Sequence, residues 1–152
     1  MNPSQTPTAP RELHLVTFLL DGWEYGVEVN NICGVYHGLA IIPTPDDSDM
    51  LEGEVHLFAH RIPVINLRCV LNLGERPSGP VWLLVLYRSS RQVGLLVDSV
   101  AEVLHLQPNA LQPFDGTNHE IPASDFVTAS VRHQERTIYL PDLPRLLEAC
   151  LA

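Results

Sequence analysis

Lysine is missing altogether: all nine basic residues of this 152-residue chain are arginine. Without a lysine amine there is no Schiff-base nucleophile and no P-loop lysine to reach a nucleotide's phosphates. Cysteine is nearly absent too. Cys33, Cys69 and Cys150 are scattered, odd in number and form no C-x-x-C, which reads as inert thiols in a reducing compartment rather than disulfide staples. Long apolar runs are lacking. Stretches such as Val81 to Tyr87 fall far short of the ~20 residues a membrane span needs. Residues 1–10 carry neither a basic start nor an apolar signal segment, so the expectation is a soluble, cytoplasmic protein without direct membrane insertion. Residues 1–12 read as a disordered tail.

What is present suits a globular domain: 45% hydrophobic and 18% charged residues. A chain of this length buries roughly 68–70% of its unfolded surface and folds without metal or disulfide. The net charge of −9 is unevenly spread, with eight acids and no arginine between Asp21 and Glu54. An acidic surface repels phosphate backbones and anionic lipid, which argues against nucleic acid as a partner. The acidic half reads either as a solvated face or as a docking face for a basic partner, its reach limited by screening to about 8 Å.

Along the chain, Leu13 to Leu20 reads as a strand ending in the hairpin signal Asp21-Gly22, and Trp23 to Val29 alternates as a half-buried strand. Asn30 to Gly34 is a turn, and Val35 to Ile42 is extended. Pro43 to Asp49 is a loop in which Ser48 or Asp49 has the chemistry to cap a short turn ending at Gly53. Glu54 to Ala59 and Ile62 to Leu67 read as strands around His60-Arg61, the second placed at an edge or started irregularly by Pro63. Cys69 to Leu73 suits one helical turn.

Glu75 to Pro80 is the best boundary, separating subdomains of about 13–75 and 80–148, between which strands are open to exchange. Val81 to Tyr87 and Gln92 to Leu106 pair about Arg88-Ser-Ser-Arg91. In the second of these the alternation slips after Val97. Val97, Val100, Ala101 and Leu104 also satisfy a helical spacing, but Gly94 and the density of valine favour a strand with a bulge or bend. Pro108 to Pro122 is a loop. Phe126 to His133 and Thr137 to Leu140 form a closing hairpin, and Pro144 to Leu151 a terminal helix with Pro144 at its first position. Many short strands and little helix point to small barrels.

No catalytic constellation emerges. There is no G-x-S-x-G, no S-x-x-K and no glycine-rich phosphate loop. Asp46, Asp47 and Asp49 make half of a calcium loop whose glycine and closing glutamate are misplaced. Of the seven histidines only His56 and His60 are close in sequence; on one strand they would share a face about 13 Å apart, too far for one ion. No metal and no cofactor is therefore expected. Asp98 and Glu102 have no cationic or nucleophilic companion nearby in sequence, so the valine-rich stretch around them builds a sheet or a contact surface.

The wording of that stretch, Val93-Gly-Leu-Leu-Val-Asp-Ser-Val-Ala-Glu-Val-Leu104, resembles the most recognisable run of the CheW-like adaptor domains of bacterial chemosensory arrays. Phe18-(x6)-Tyr25-Gly26-Val27 with Ile32 and Val35, then Pro43, Gly53, Pro63-Val-Ile-Asn-Leu-Arg68, Leu111-x-Pro113 and Ile138 to Leu147 follow in the family's order, covering about Val16 to Leu147. The resemblance implies a mainly β fold of two five-stranded SH3-like barrels packed side by side, with a short C-terminal helix. It implies a non-enzymatic scaffold that couples the cytoplasmic tip of a methyl-accepting chemoreceptor to the regulatory domain of a CheA-type histidine kinase. By the same resemblance Ile32, Gly53, Phe58, Arg68 and Val103 fall on the partner-binding surface; taken alone, Ile32 and Val103 read equally as core and Gly53 as a helix stop.

One departure bears on partners. Where the family typically reads G-V-x-N-L-R-G, this chain has Gly53-Glu-Val-His-Leu-Phe-Ala59, so a guanidinium with five donors is replaced by the Phe58 ring with none. Asn66 likewise stands for the family's aspartate. Phe58 motivates a second expectation, an accessory protein that binds receptor or kinase alone and insulates, caps or competes in an array. A third, from another class, is a small hydrolase or ligand-binding barrel using His56 and His60.

Overall fold

The computed structural model describes residues 12–44, 51–71, 73–75, 78–114, 121 and 124–151. The proposed tail to residue 11, the Asp46–Asp49 loop and its capping residues lie outside them.

Apolar runs without alternation give strands buried on both faces. In β6 (Trp82–Arg88), Leu83 and Val85 point to one cluster while Leu84 and Leu86 point to another, and all four are buried. In β1 (Leu13–Leu20), Val16, Phe18 and Leu20 face one side and Leu15 the other. Two sheets result. One has the order β8-β1-β2-β11-β10-β9, where β2 is Trp23–Glu28, β8 Ser99–Leu106, β9 Leu111–Pro113, β10 Val127–His133 and β11 Arg136–Pro141. The other has the order β3-β6-β7-β5-β4, with β3 Ile32–His37, β4 Leu51–Leu57, β5 His60–Asn66 and β7 Arg91–Val97.

The largest core lies between the sheets. It takes Val16, Phe18, Tyr25 and Val27 from the first, and Ile65, Leu84, Leu86, Leu95 and Val97 from the second. Each sheet also has a smaller core of its own, around Val55, Ile62, Val64 and Leu83 in one and Leu15, Leu104, Val131 and Ile138 in the other. Burial pushes the Tyr25 phenol well above its ordinary pKa, so the ring packed on Phe18 stays neutral. The helix α2 (Leu143–Leu151) closes the central core with Leu143, Leu146 and Leu147, the i, i+3, i+4 stripe of a half-buried helix. It begins one residue earlier than Pro144 suggests because Asp142 caps it, Oδ1 accepting from the Arg145 N–H at 3.3 Å.

The fold class is mainly β with two SH3-like subdomains, as expected, but several local expectations are corrected. Strands are exchanged across the 75–80 segment: β1 and β2 join β8 to β11, while β6 and β7 complete the sheet begun by β3. Gln92 to Leu106 is not one bent strand. It crosses from one sheet to the other at Asp98, and the slip in alternation marks that crossing together with a bulge opposite Thr17 and Phe18. Pro63 is not on an edge strand, since β5 pairs with both β4 and β7. Its missing N–H is harmless nonetheless. Opposite it, Glu54 directs its N–H and C=O to Ile42, at 2.9 and 2.8 Å, so Glu54 and Pro63 share no hydrogen bond, and pairing with β7 starts only at Val64. One helical turn does follow β5, as α1 (Leu67–Val70) rather than Cys69 to Leu73; the Asn66 side chain caps it by accepting from the Cys69 N–H at 3.3 Å.

The β4–β5 hairpin also turns two residues before His60-Arg61, at Phe58-Ala59. The register is decided by the core: this pairing sets Val55 against Ile62 and buries both, whereas a later turn would set Val55 against Asn66. The cost is backbone strain, since Phe58 and Ala59 have φ of 48° and 67°, the left-handed pair of a type I′ turn that favours Asn-Gly. Ala59→Gly is therefore expected to raise stability by about 0.5–1 kcal/mol, the left-handed penalty less the extra freedom glycine gives the unfolded chain. Urea denaturation measures it, and a loss of stability would contradict the turn assignment.

Candidate partner-binding surface

The exposed large apolar side chains collect at sheet edges and hairpin ends. Val35 and Val103 lie on the edge strands β3 and β8, Leu111 on the edge strand β9, Ile42 beside β4, Phe58 at a hairpin tip and Tyr87 at the end of β6. Single exposed apolar residues are ordinary, but their concentration on open edges makes those edges the places where another chain can add contacts.

The five residues singled out in the sequence separate on this basis. Val103 is 52% exposed on β8, opposite the buried Val16, and presents an apolar side chain at the rim of the core between the sheets. Phe58 is 86% exposed at the β4–β5 tip. Ile32 is half-buried at the start of β3 and packs on the central core. Gly53 is buried in β4 and is no helix stop. Its φ is +146°, and a Cβ there would lie 2.3 Å from the Ile42 carbonyl oxygen, so glycine is needed for the strand beside it to approach.

Arg68 is not a surface residue: it is 8% exposed and committed within the fold. Its Nη1 donates to Asp98 Oδ2 at 2.7 Å and its Nη2 to the Leu73 carbonyl at 3.1 Å, with Asp21 Oδ1 at 3.4 Å. Asp98 Oδ2 also accepts from the Asp21 N–H at 2.8 Å, and the Asp98 N–H donates to the Leu19 carbonyl at 3.1 Å. One arginine thus ties the β1–β2 turn, the end of α1 and the crossing between sheets. Asp98 and Glu102 have no cation near them in sequence; the fold supplies both, Arg68 to the first and Arg136, which also faces Glu24 at 3.4 Å, to the second.

Around β5 and the β6–β7 turn an open groove of about 930 Å³ is lined by His60, Arg61, Tyr87, Arg88 and Arg91 among others. Three of the nine arginines of an acidic chain meet there. His56 and His60 are not on one strand. They flank the turn, and the pairs His56–Arg61 and Leu57–His60 place them on opposite faces of the hairpin, so they share no ligand site. His56 instead meets Glu54 at 2.9 Å. The sequence missed a closer pair. His14 and His105, far apart in the chain, are direct cross-strand partners on β1 and β8, with ring centroids 4.4 Å apart. Only the strand register reveals them.

No helix among the described residues is long and apolar enough to cross a membrane. Comparison with known proteins agrees with the architecture. The family model described as a CheW-like domain matches residues 14–150. The chain is 28% identical over 140 residues to the chemotaxis protein CheW of Thermotoga maritima, covering 92% of this chain and 91% of that protein. It is 29% identical over 136 residues to the chemotaxis protein CheW of Klebsiella aerogenes, covering 87% and 80%. Its fold is similar to the crystal structure of the scaffolding protein TtCheW from Thermoanaerobacter tengcongensis, with a TM-score of 0.76, 23% identity and coverage of 86% and 89%. Full-length agreement in sequence and in fold makes this chain a member of the CheW-like domain family, whose proteins are chemotaxis scaffolds rather than enzymes.

Proposed function

We propose that this scaffold couples the cytoplasmic tip of a methyl-accepting chemoreceptor to the regulatory domain of a CheA-type histidine kinase. The observation that carries the reading is an exposed apolar rim, Val103 above all, on edge strands of a chain belonging to a scaffold family. The receptor tip docks over β8, where Val103 offers apolar area next to the core between the sheets, and Ile32 and Gly53 set the shape of the edges around β3 and β4. The kinase domain meets the β4–β5 tip, which Phe58 makes apolar where relatives of the typical pattern present a guanidinium.

Phe58 favours a second reading, in which the protein binds only one of the two partners and insulates or caps an array. Titration calorimetry against each partner alone separates the readings. Binding to both supports the coupler, whereas binding to the receptor tip alone supports the accessory. Under the accessory reading Phe58→Arg is expected to strengthen kinase binding about tenfold, roughly 1.4 kcal/mol, by restoring donors for an acidic or carbonyl partner. An unchanged affinity would remove Phe58 as the determinant.

A further inference from the structure

The cross-strand histidines do more than pack. We infer that Glu12, His14 and His105 form a binding site for a divalent transition metal, of the zinc or nickel class, clamping the edge strand β8 to β1. Each residue offers one donor atom, and the three donors lie within 4.8 Å of one another. Glu12 Oε2 is already 3.2 Å from His14 Nε2. The scaffold beneath them is fixed. His14 and His105 are paired in register within the β1–β8 ladder, which continues through Leu15–Leu104, Val16–Val103 and Thr17–Glu102. Glu12 lies one residue before β1, and its carboxylate reaches the His14 imidazole from there.

Two imidazoles and one carboxylate are a donor set that suits zinc, nickel or copper and not the oxygen-seeking magnesium or calcium. Around a tetrahedral zinc with bonds of about 2.0–2.2 Å the donors would be about 3.3 Å apart. Reaching that spacing needs the donors to draw together by an ångström or so. All three side chains are exposed and free to rotate that far, while the paired backbone stays in place. A fourth position remains open to water. The Glu54–His56 contact on β4 provides one carboxylate and one imidazole only, and among the described residues no second cluster of three such donors occurs.

The inference is independent of which partners the protein joins. It does have a consequence for β8, the strand that carries Val103 two residues before His105. A metal bridging β1 and β8 stabilises an edge strand otherwise paired on one side only. The test is titration of the full-length protein with zinc sulfate in a non-chelating buffer, read by calorimetry and by histidine side-chain NMR. One equivalent is expected to bind, with the His14 and His105 resonances moving together. His14→Ala and His105→Ala should each weaken binding at least tenfold, His56→Ala should leave it unchanged, and zinc should raise the melting temperature of the wild type but not of His105→Ala. Both substituted side chains are exposed, so circular dichroism of the variants is expected to match the wild type. Absence of binding at millimolar zinc, or wild-type affinity in the His14→Ala and His105→Ala variants, would overturn the site.

Discussion

Replacing Arg68 with alanine is expected to remove about 3–5 kcal/mol of folding stability, the typical loss when one partner of a buried ion pair is deleted. A domain's whole margin is about 5–15 kcal/mol, so the variant should sit near its unfolding threshold at room temperature. The effect is large because the Arg68 guanidinium has several duties. Its loss leaves Asp98, itself mostly shielded from solvent, with the Asp21 N–H as its remaining donor to Oδ2, and strips the Leu73 carbonyl of its partner. Asp98→Asn should cost less, since the amide oxygen still accepts from the Asp21 N–H and from the Arg68 guanidinium, and Asp21 still offers that guanidinium a carboxylate at 3.4 Å. Urea denaturation of both variants measures the difference. A loss under about 1 kcal/mol for Arg68→Ala, the value of an exposed pair, would mean that the crossing between sheets is held by packing alone.

Val103→Asp should weaken receptor-tip binding by about 100-fold, about 2.8 kcal/mol, with little change in stability. Val103 is about half exposed on an edge strand at the rim of the core, and substitutions at such open positions seldom cost much folding energy. In a closed interface the same carboxylate would lose its water and meet an apolar neighbour, which is expensive. Circular dichroism and the melting temperature provide the control. If the protein unfolds, Val103 belongs to the core after all; if it stays folded and binds as before, the receptor does not dock on β8.

These two residues also show what the sequence could and could not convey. The Val93–Leu104 wording identified the family, and alternation with Asp21-Gly22 located the first hairpin, because both signals are local. The strand order was not legible. β7 is buried on both faces and has no period, and the slip after Val97 fits a bend as well as a crossing, so Gln92 to Leu106 does not by itself separate a strand that bends from two strands in different sheets. The role of Asp98 was hidden for the same reason: its cation is thirty residues away and arrives only when β7, α1 and the β1–β2 turn converge. Phe58-Ala59 misled because neither residue is a turn former, and the hairpin turns there only because the Val55–Ile62 core pair demands that register. His14 and His105 were invisible as a pair until β1 and β8 were aligned. What is local in the chain was readable, and what depends on register was not.

Coupling requires that both partners be held at once, so the most direct measurement is sedimentation of this protein mixed with a receptor-tip fragment and the regulatory domain of the kinase. The account expects a single species containing all three chains, at concentrations where receptor tip and kinase domain alone do not associate. If receptor tip and kinase domain instead displace one another from the protein, the two share one surface, and a coupling role is contradicted.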